Sequence, residues 1–164
     1  MKQLLIIRHA KSNWANAQEA DIDRSLNERG NKDAPNMAKR LVEKHIQLDA
    51  IVSSSANRAF TTASYFAKAQ AINKRDILCV EALYLAPAAE YFKQIQALNQ
   101  HLQTVAIVGH NPGITDFVNA LTTTQIDNMP TCGIFAIKIN IENWKDFQTA
   151  KKEFWFFDSP KSIH

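Results

Sequence analysis

The sequence predicts an α/β fold: a single domain over residues 1–164, built as a three-layer α/β/α sandwich around a mostly parallel sheet. Two observations predict it. Short apolar runs recur at Leu4 to Ile7, Ala50 to Val52, Ile77 to Val80 and Val105 to Val108, separated by longer stretches with apolar residues at helical spacing. That alternation is what a parallel sheet covered on both faces requires. A length of 164 residues suits one core, and no linker, repeat or low-complexity segment divides it.

In chain order, Leu4 to Ile7 is the first strand. The first helix is expected to begin near Asn31 to Pro35 and to run through Met37, Leu41 and Val42, because proline is tolerated only in a helix's first turn. Ala56 to Gln70 forms the second helix, with Ala59, Ala63, Phe66 and Ala67 on one face. Pro87 opens a third helical stretch that carries Tyr91, Ile95 and Leu98 through to Leu102, and Pro112 opens a fourth with Phe117, Val118 and Leu121. Gly133 to Ile141 alternates, with Phe135, Ile137, Ile139 and Ile141 on one side and Lys138 and Asn140 on the other, which predicts a strand exposed on one face. The aromatic run Phe154 to Phe157 is expected to be a final strand.

Composition removes several classes of function. The content of 46% hydrophobic and 21% charged residues is that of an ordinary soluble protein, and no apolar run approaches the ~20 residues of a membrane-spanning helix. Lys2, a few apolar residues and then Arg8 do not make a secretory signal, so a cytoplasmic location is expected. Cys79 and Cys132 lack Cys-x-x-Cys spacing and read as reduced thiols packed like small apolar groups. The net charge of +3 is small, and the basic residues are scattered among acids, which argues against nucleic-acid binding.

The chemistry gathers at strand ends. Arg8 and His9 close the first apolar run, and Gly109-His110-Asn111-Pro112-Gly113 closes the run at Val105 to Val108. Strand C-termini on one sheet edge are where open α/β proteins build their sites. Arg58 follows Ser53-Ser54-Ser55 and falls in the first turn of the second helix, beside free backbone N–H groups that attract an anion. A phosphoryl group in transfer needs cationic donors around its equator and a nucleophile on its axis. Guanidinium forks at Arg8 and Arg58 supply the donors, and a neutral imidazole of His9 supplies the nucleophile. His110, if protonated, supplies a third donor, so the two histidines are expected in opposite protonation states.

With these residues in place the chain resembles a histidine phosphatase of the phosphoglycerate mutase-like superfamily, and within it the small SixA-type phosphohistidine phosphatases. The runs that carry the resemblance are Arg8-His9-Ala10-Lys11-Ser12, Asp23 to Gly30, Ser53-Ser54 with Arg58-Ala59 and Thr62-Ala63, and Gly109-His110-Asn111-Pro112. The resemblance implies that His9 accepts the phosphoryl group as a transient phosphohistidine, that Arg8, Arg58 and His110 bind the phosphate, and that water then attacks the phosphoenzyme. It also implies a phosphoglycerate mutase-like sheet sandwiched by helices, with no metal and no organic cofactor. Ala10 stands where the wider superfamily usually has glycine, and Ser25 where proline is common.

Many superfamily members protonate an alcohol leaving group with a carboxylate from the segment between the second arginine and the second histidine. Here Glu81, just after Val80, is the candidate acid. Ser12 is a candidate phosphate or substrate contact, and Trp14 a candidate for the pocket mouth. Asp23-Arg24 and Glu28-Arg29 read as braces for the loop over the site. The segment between Arg58 and His110 is too short to hold a lid as well as a strand and a helix, and an uncapped pocket suits a phosphorylated protein surface. The expected partner is thus a histidine-phosphorylated protein domain or, alternatively, a small phosphoester.

Rival readings are weaker. A metal bound by His9, His110 and Asp116 is opposed by the adjacent arginines and by the lack of ligand spacing. Ser53 to Ser55 have no Gly-x-Ser-x-Gly frame and read as turn and cap residues, while His45, His101 and His164 read as exposed. No phosphate loop of the Gly-x-x-x-x-Gly-Lys-Ser/Thr type is present. A phosphate-recognising module without catalysis remains the non-enzymatic alternative, and a mutase, which needs an enclosed site, is the remotest reading. The oligomeric state is left open by the sequence.

Overall fold

Alternation along the first strand decides the layers. In a computed structural model, which describes residues 1–14 and 17–162, β1 (Lys2–Arg8) lies inside the sheet with Leu4 to Ile7 fully buried. Successive side chains of a strand point to opposite faces. Leu5 and Ile7 therefore pack with Met37 and Leu41 of α1 (Glu28–Glu43) and with Ala63 and Phe66 of α2 (Asn57–Ala69). Leu4 and Ile6 pack on the other face with Tyr91 and Ile95 of α3 (Ala88–Gln96) and Phe117 and Val118 of α4 (Gly113–Asn119). Each such aliphatic side chain contributes roughly 1.5–3 kcal/mol on burial. The predicted three-layer sandwich follows.

The remaining strands are β2 (Ala50–Ser54), β3 (Leu78–Val80), β4 (Thr104–Gly109), β5 (Ile134–Ile139) and β6 (Lys152–Asp158). The sheet order is β3-β2-β4-β1-β5-β6. Strands β1 to β4 run parallel, and β5 turns antiparallel against β1 and β6. The C-terminal ends of β1, β2 and β4 therefore lie side by side, in register from Arg8 to Gly109 and from Ser53 to Val108.

Three expectations need correction. Helix α1 starts at Glu28, three residues before the predicted start, so Pro35 lies in its interior. The start is fixed by the Asn27 side chain, which accepts from the Gly30 N–H, a cap of the usual Asn kind. Gly30 is a poor helix former, but a Cβ there would sit 2.1 Å from the Lys11 carbonyl oxygen. Strand β5 is buried on both faces, because Ile134 and Ala136 pack in the α1 and α2 layer while Phe135 and Ile137 pack in the other. Cys79 is exposed because β3 is the short edge strand, whereas Cys132 is buried as expected. His45 and His101 are exposed, and His164 lies outside the described residues. Among the described residues no helix is long and apolar enough to cross a membrane.

Candidate active site

The backbone ladder places both histidines before any side-chain chemistry acts. Arg8 N–H donates to the Gly133 carbonyl on the β5 side, and His9 N–H donates to the Gly109 carbonyl on the β4 side. The Cys132 N–H, at a positive φ of 58°, donates to the carbonyls of both Arg8 and His9. The turn after His9 is fastened to α2 through Thr62, whose hydroxyl accepts from Ala10 N–H and donates to the Arg58 carbonyl. His110 is held by Tyr91, whose hydroxyl accepts from His110 N–H at 2.9 Å. Glycine at 109 is what permits this, since a Cβ there would lie 2.1 Å from that hydroxyl.

The result is a pair of imidazoles with ring centroids 5.2 Å apart, in a cavity of 270 Å³ that Arg8, His9, Arg58 and His110 all line. The four residues that the sequence singled out are thus brought together. Ser12 and Trp14 line the same cavity. Ser12 is buried and accepts from the Arg24 guanidinium at 2.6 Å, while Trp14 is exposed with that guanidinium stacked 3.6 Å from its ring centroid. Strand-like pairing of Ser12 with Leu26 and of Asn13 with Ser25 returns the chain so that Arg24 reaches both.

The His9 ring carries its own orientation signal. Nδ1 lies 2.7 Å from the Ala10 carbonyl, which only accepts, so the proton sits on Nδ1 and Nε2 keeps its lone pair. Burial drives the His9 pKa down to about 3, with His110, Arg58 and Arg8 lowering it further against the opposing Ala10 hydrogen bond. The ring is therefore neutral at physiological pH.

His110 departs from the expected imidazolium. Burial, and then the Arg58 charge, lower its pKa to about 4, so in the free pocket it is neutral as well. Its Nε2 lies 2.7 Å from the Ser54 hydroxyl, which also accepts from Ala56 N–H. The Ser54 hydroxyl has two lone pairs and one proton, so while it accepts from Ala56 N–H it is also able to donate to Nε2. In the tautomer where Ser54 donates, the proton of His110 sits on Nδ1, a buried atom with no hydrogen-bond partner among the described residues. Arg8 Nε and Arg58 Nε are likewise buried without partners. Arg8, Arg58 and His110 all line the cavity, and two guanidinium groups beside an imidazole suit it to an oxyanion.

Sequence reasoning missed the carboxylate of this site. Asp21 lines the cavity in a short 3-10 turn, Asp21–Asp23. Its carboxylate meets Arg24 Nε at 2.9 Å and an Arg58 terminal nitrogen at 3.1 Å, and it accepts from the Tyr84 hydroxyl. The Tyr84 hydrogen bond, then Arg24 and Arg58, hold its pKa at about 2 against desolvation. Glu81, in contrast, is exposed and does not line the cavity. It follows β3, the edge strand, three positions across the sheet from β1, or about 14 Å at the usual strand spacing. The turn after it delivers Tyr84 against His110 and half-exposed Leu85 to the rim. Asp116 is exposed on α4 and does not line the cavity. Among the described residues no three His, Cys, Asp or Glu side chains gather closely enough to hold a metal ion.

The family model of the Histidine phosphatase superfamily (branch 1) matches residues 4–79. The chain is similar in structure to a protein from Agrobacterium tumefaciens provisionally named phosphohistidine phosphatase SixA, with TM-score 0.80 and 27% identity over 97% of this chain and 99% of that one. It also shares its fold with the protein histidine phosphatase SixA solved with tungstate, with TM-score 0.81 and 19% identity over 96% and 97% of the two chains. In sequence it is 38% identical over 72 residues to phosphoserine phosphatase 1 of Hydrogenobacter thermophilus, a match covering 43% of this chain and 33% of that protein.

Proposed function

We propose that this chain, whose residues 4–79 match the histidine phosphatase superfamily model, hydrolyses phosphohistidine on a protein, through a phosphoryl group carried on His9. In the first step the Nε2 lone pair forms a bond to phosphorus as the bond to the substrate imidazole breaks. That imidazole leaves with the electron pair and takes a proton from solvent. Charge on the three equatorial oxygens is met by Arg8, Arg58 and the Nδ1–H of His110. In the second step water attacks phosphorus, inorganic phosphate leaves, and Nε2 regains its lone pair.

One observation carries the choice of substrate. Asp21 is the carboxylate that lines the cavity, and it is ionised and engaged by two arginines and a tyrosine. A carboxyl held at about pKa 2 cannot donate a proton at neutral pH, and Glu81 lies outside the cavity. An alkyl phosphate releases a poor leaving group and gains roughly 10²–10⁴-fold from a general acid. An imidazole leaves far more readily. Trp14 and Leu85 line the cavity and are both exposed, which further suits a side chain presented on a protein surface.

The similarity to a phosphoserine phosphatase supports a second reading, a small-molecule phosphomonoesterase. The two separate in one experiment. Phosphate release is measured from a histidine-phosphorylated carrier protein and from phosphoserine, with wild type and His9→Ala side by side. The proposal expects fast, His9-dependent release from the phosphoprotein and slow release from phosphoserine. The reverse order assigns the site to small esters, and no release from either leaves a phosphate-binding module.

A further inference from the structure

A second cavity, also 270 Å³, adjoins the first and shares Arg8, Lys11 and Thr131 with it. Its remaining walls include Arg29 from the first turn of α1 and Lys161 from the segment after β6. Among the described residues, four basic side chains and no carboxylate line it. The nearby acids are engaged: Asp33 pairs with Arg29 one helical turn away at 3.4 Å, and Asp158 pairs with Arg40 at 3.1 Å. Arg40 also donates to the carbonyls of Ser159 and Pro160. The far wall is therefore fastened to α1.

The two sides of the catalytic cavity differ in charge. Past His9 and Arg58 it ends at Trp14, Leu85 and the Asp21 carboxylate. Across Arg8, Lys11 and Thr131 it shares a wall with the basic groove. An extended peptide advances about 3.3 Å per residue, so the residues next to a group bound at Arg8 are the ones that can enter a cavity lined by Arg8, Arg29 and Lys161 together. We propose that this groove binds carboxylate side chains flanking the phosphorylated histidine, so that the substrate is an acidic segment of a protein. The proposal rests on the phosphoprotein reading above for its biological occupant. Its physical basis, a basic groove that shares Arg8, Lys11 and Thr131 with the cavity of His9, stands on the charge arrangement.

The test uses a six-residue unphosphorylated peptide with three glutamates, and the same peptide with glutamines in their place. Binding to the full chain is read by calorimetry at low ionic strength, and inhibition is read on hydrolysis of an aryl phosphate. The glutamate peptide is expected to bind at least about tenfold more tightly than the glutamine peptide. The double variant Arg29→Gln, Lys161→Gln is expected to lose about tenfold in that binding with kcat/KM for the aryl phosphate unchanged. Both residues are exposed and lie outside the catalytic cavity, so folding is not at stake. Equal binding of the two peptides, or glutamate binding that survives the double substitution, overturns the proposal. Failure of the phosphohistidine reading would appear separately, in the carrier-protein assay, and leaves the calorimetric result interpretable.

Discussion

The two walls of the catalytic cavity are built by different means. On one wall, Arg8, His9 and His110 stand at the ends of β1 and β4, and Arg58 opens α2 just after β2. Their positions follow from a hydrogen-bonded ladder and two apolar cores. On the other wall, Asp21, Arg24, Trp14 and Tyr84 come from a loop and a turn, and they hold one another through side chains. The comparison teaches how the proposed mechanism divides: the strand-end wall would carry the chemistry, which demands fixed geometry, while the loop wall would set charge and access around it.

The largest effect expected is loss of the nucleophile. His9→Ala should reduce phosphate release by at least about 10³-fold with the fold retained, as removal of a covalent nucleophile does; a circular dichroism melt checks the fold. Arg58→Ala follows at about 10²–10³-fold, the scale for a transition-state donor. Its buried guanidinium also anchors Asp21, so the melting temperature should fall as well.

Ser54→Ala probes how the tautomer of His110 is set. It removes the hydroxyl at Nε2, and a loss of about tenfold in kcat is expected, equivalent to one hydrogen bond of about 1.4 kcal/mol. Retention of full activity would show that His110 needs no such partner. On the loop wall, Asp21→Asn should leave the chemical step intact and lower KM for a dianionic substrate, because it removes a negative charge beside Arg58. Glu81→Gln, outside the cavity, should change neither parameter, and a large loss there would break the division between the walls.

The pH response follows from the same burial. His9 and His110 have folded pKa values of about 3 and about 4, below the 6.5 of a free imidazole. The unfolded chain therefore binds more protons between these values. Stability is full above about pH 6.5 and falls as pH drops toward 4. Asp21, with its pKa lowered to about 2, adds a loss only below about pH 4. A series of thermal melts from pH 8 to 4 checks the direction.

How much of this was legible in the sequence divides along the same two walls. Arg8, His9 and His110 show because each ends a short apolar run, and a strand end on a parallel sheet has a known destination. Arg58 shows because a serine-rich turn precedes it. Asp21 and Tyr84 do not show, since their partners are far away in the chain and no periodicity marks a loop residue that bonds across space. Glu81 misled because the sequence reveals that a strand precedes it but not that the strand is the sheet edge. The start of α1 was hidden by Gly30 and Pro35, whose ordinary preferences are overridden by the Lys11 contact and the Asn27 cap. The double-sided burial of β5 was hidden because Lys138 and Asn140 flank its end, while Ile134 and Ala136 bury the face on which it lies.

The central claim, that His9 attacks through Nε2, is tested most directly by trapping the phosphoenzyme at low temperature and reading the isomer by ³¹P NMR on the denatured chain. The hydrogen bond from Nδ1 to the Ala10 carbonyl predicts phosphate on Nε2 of His9, absent from His9→Ala. Phosphate on Nδ1, or on His110, would contradict the account.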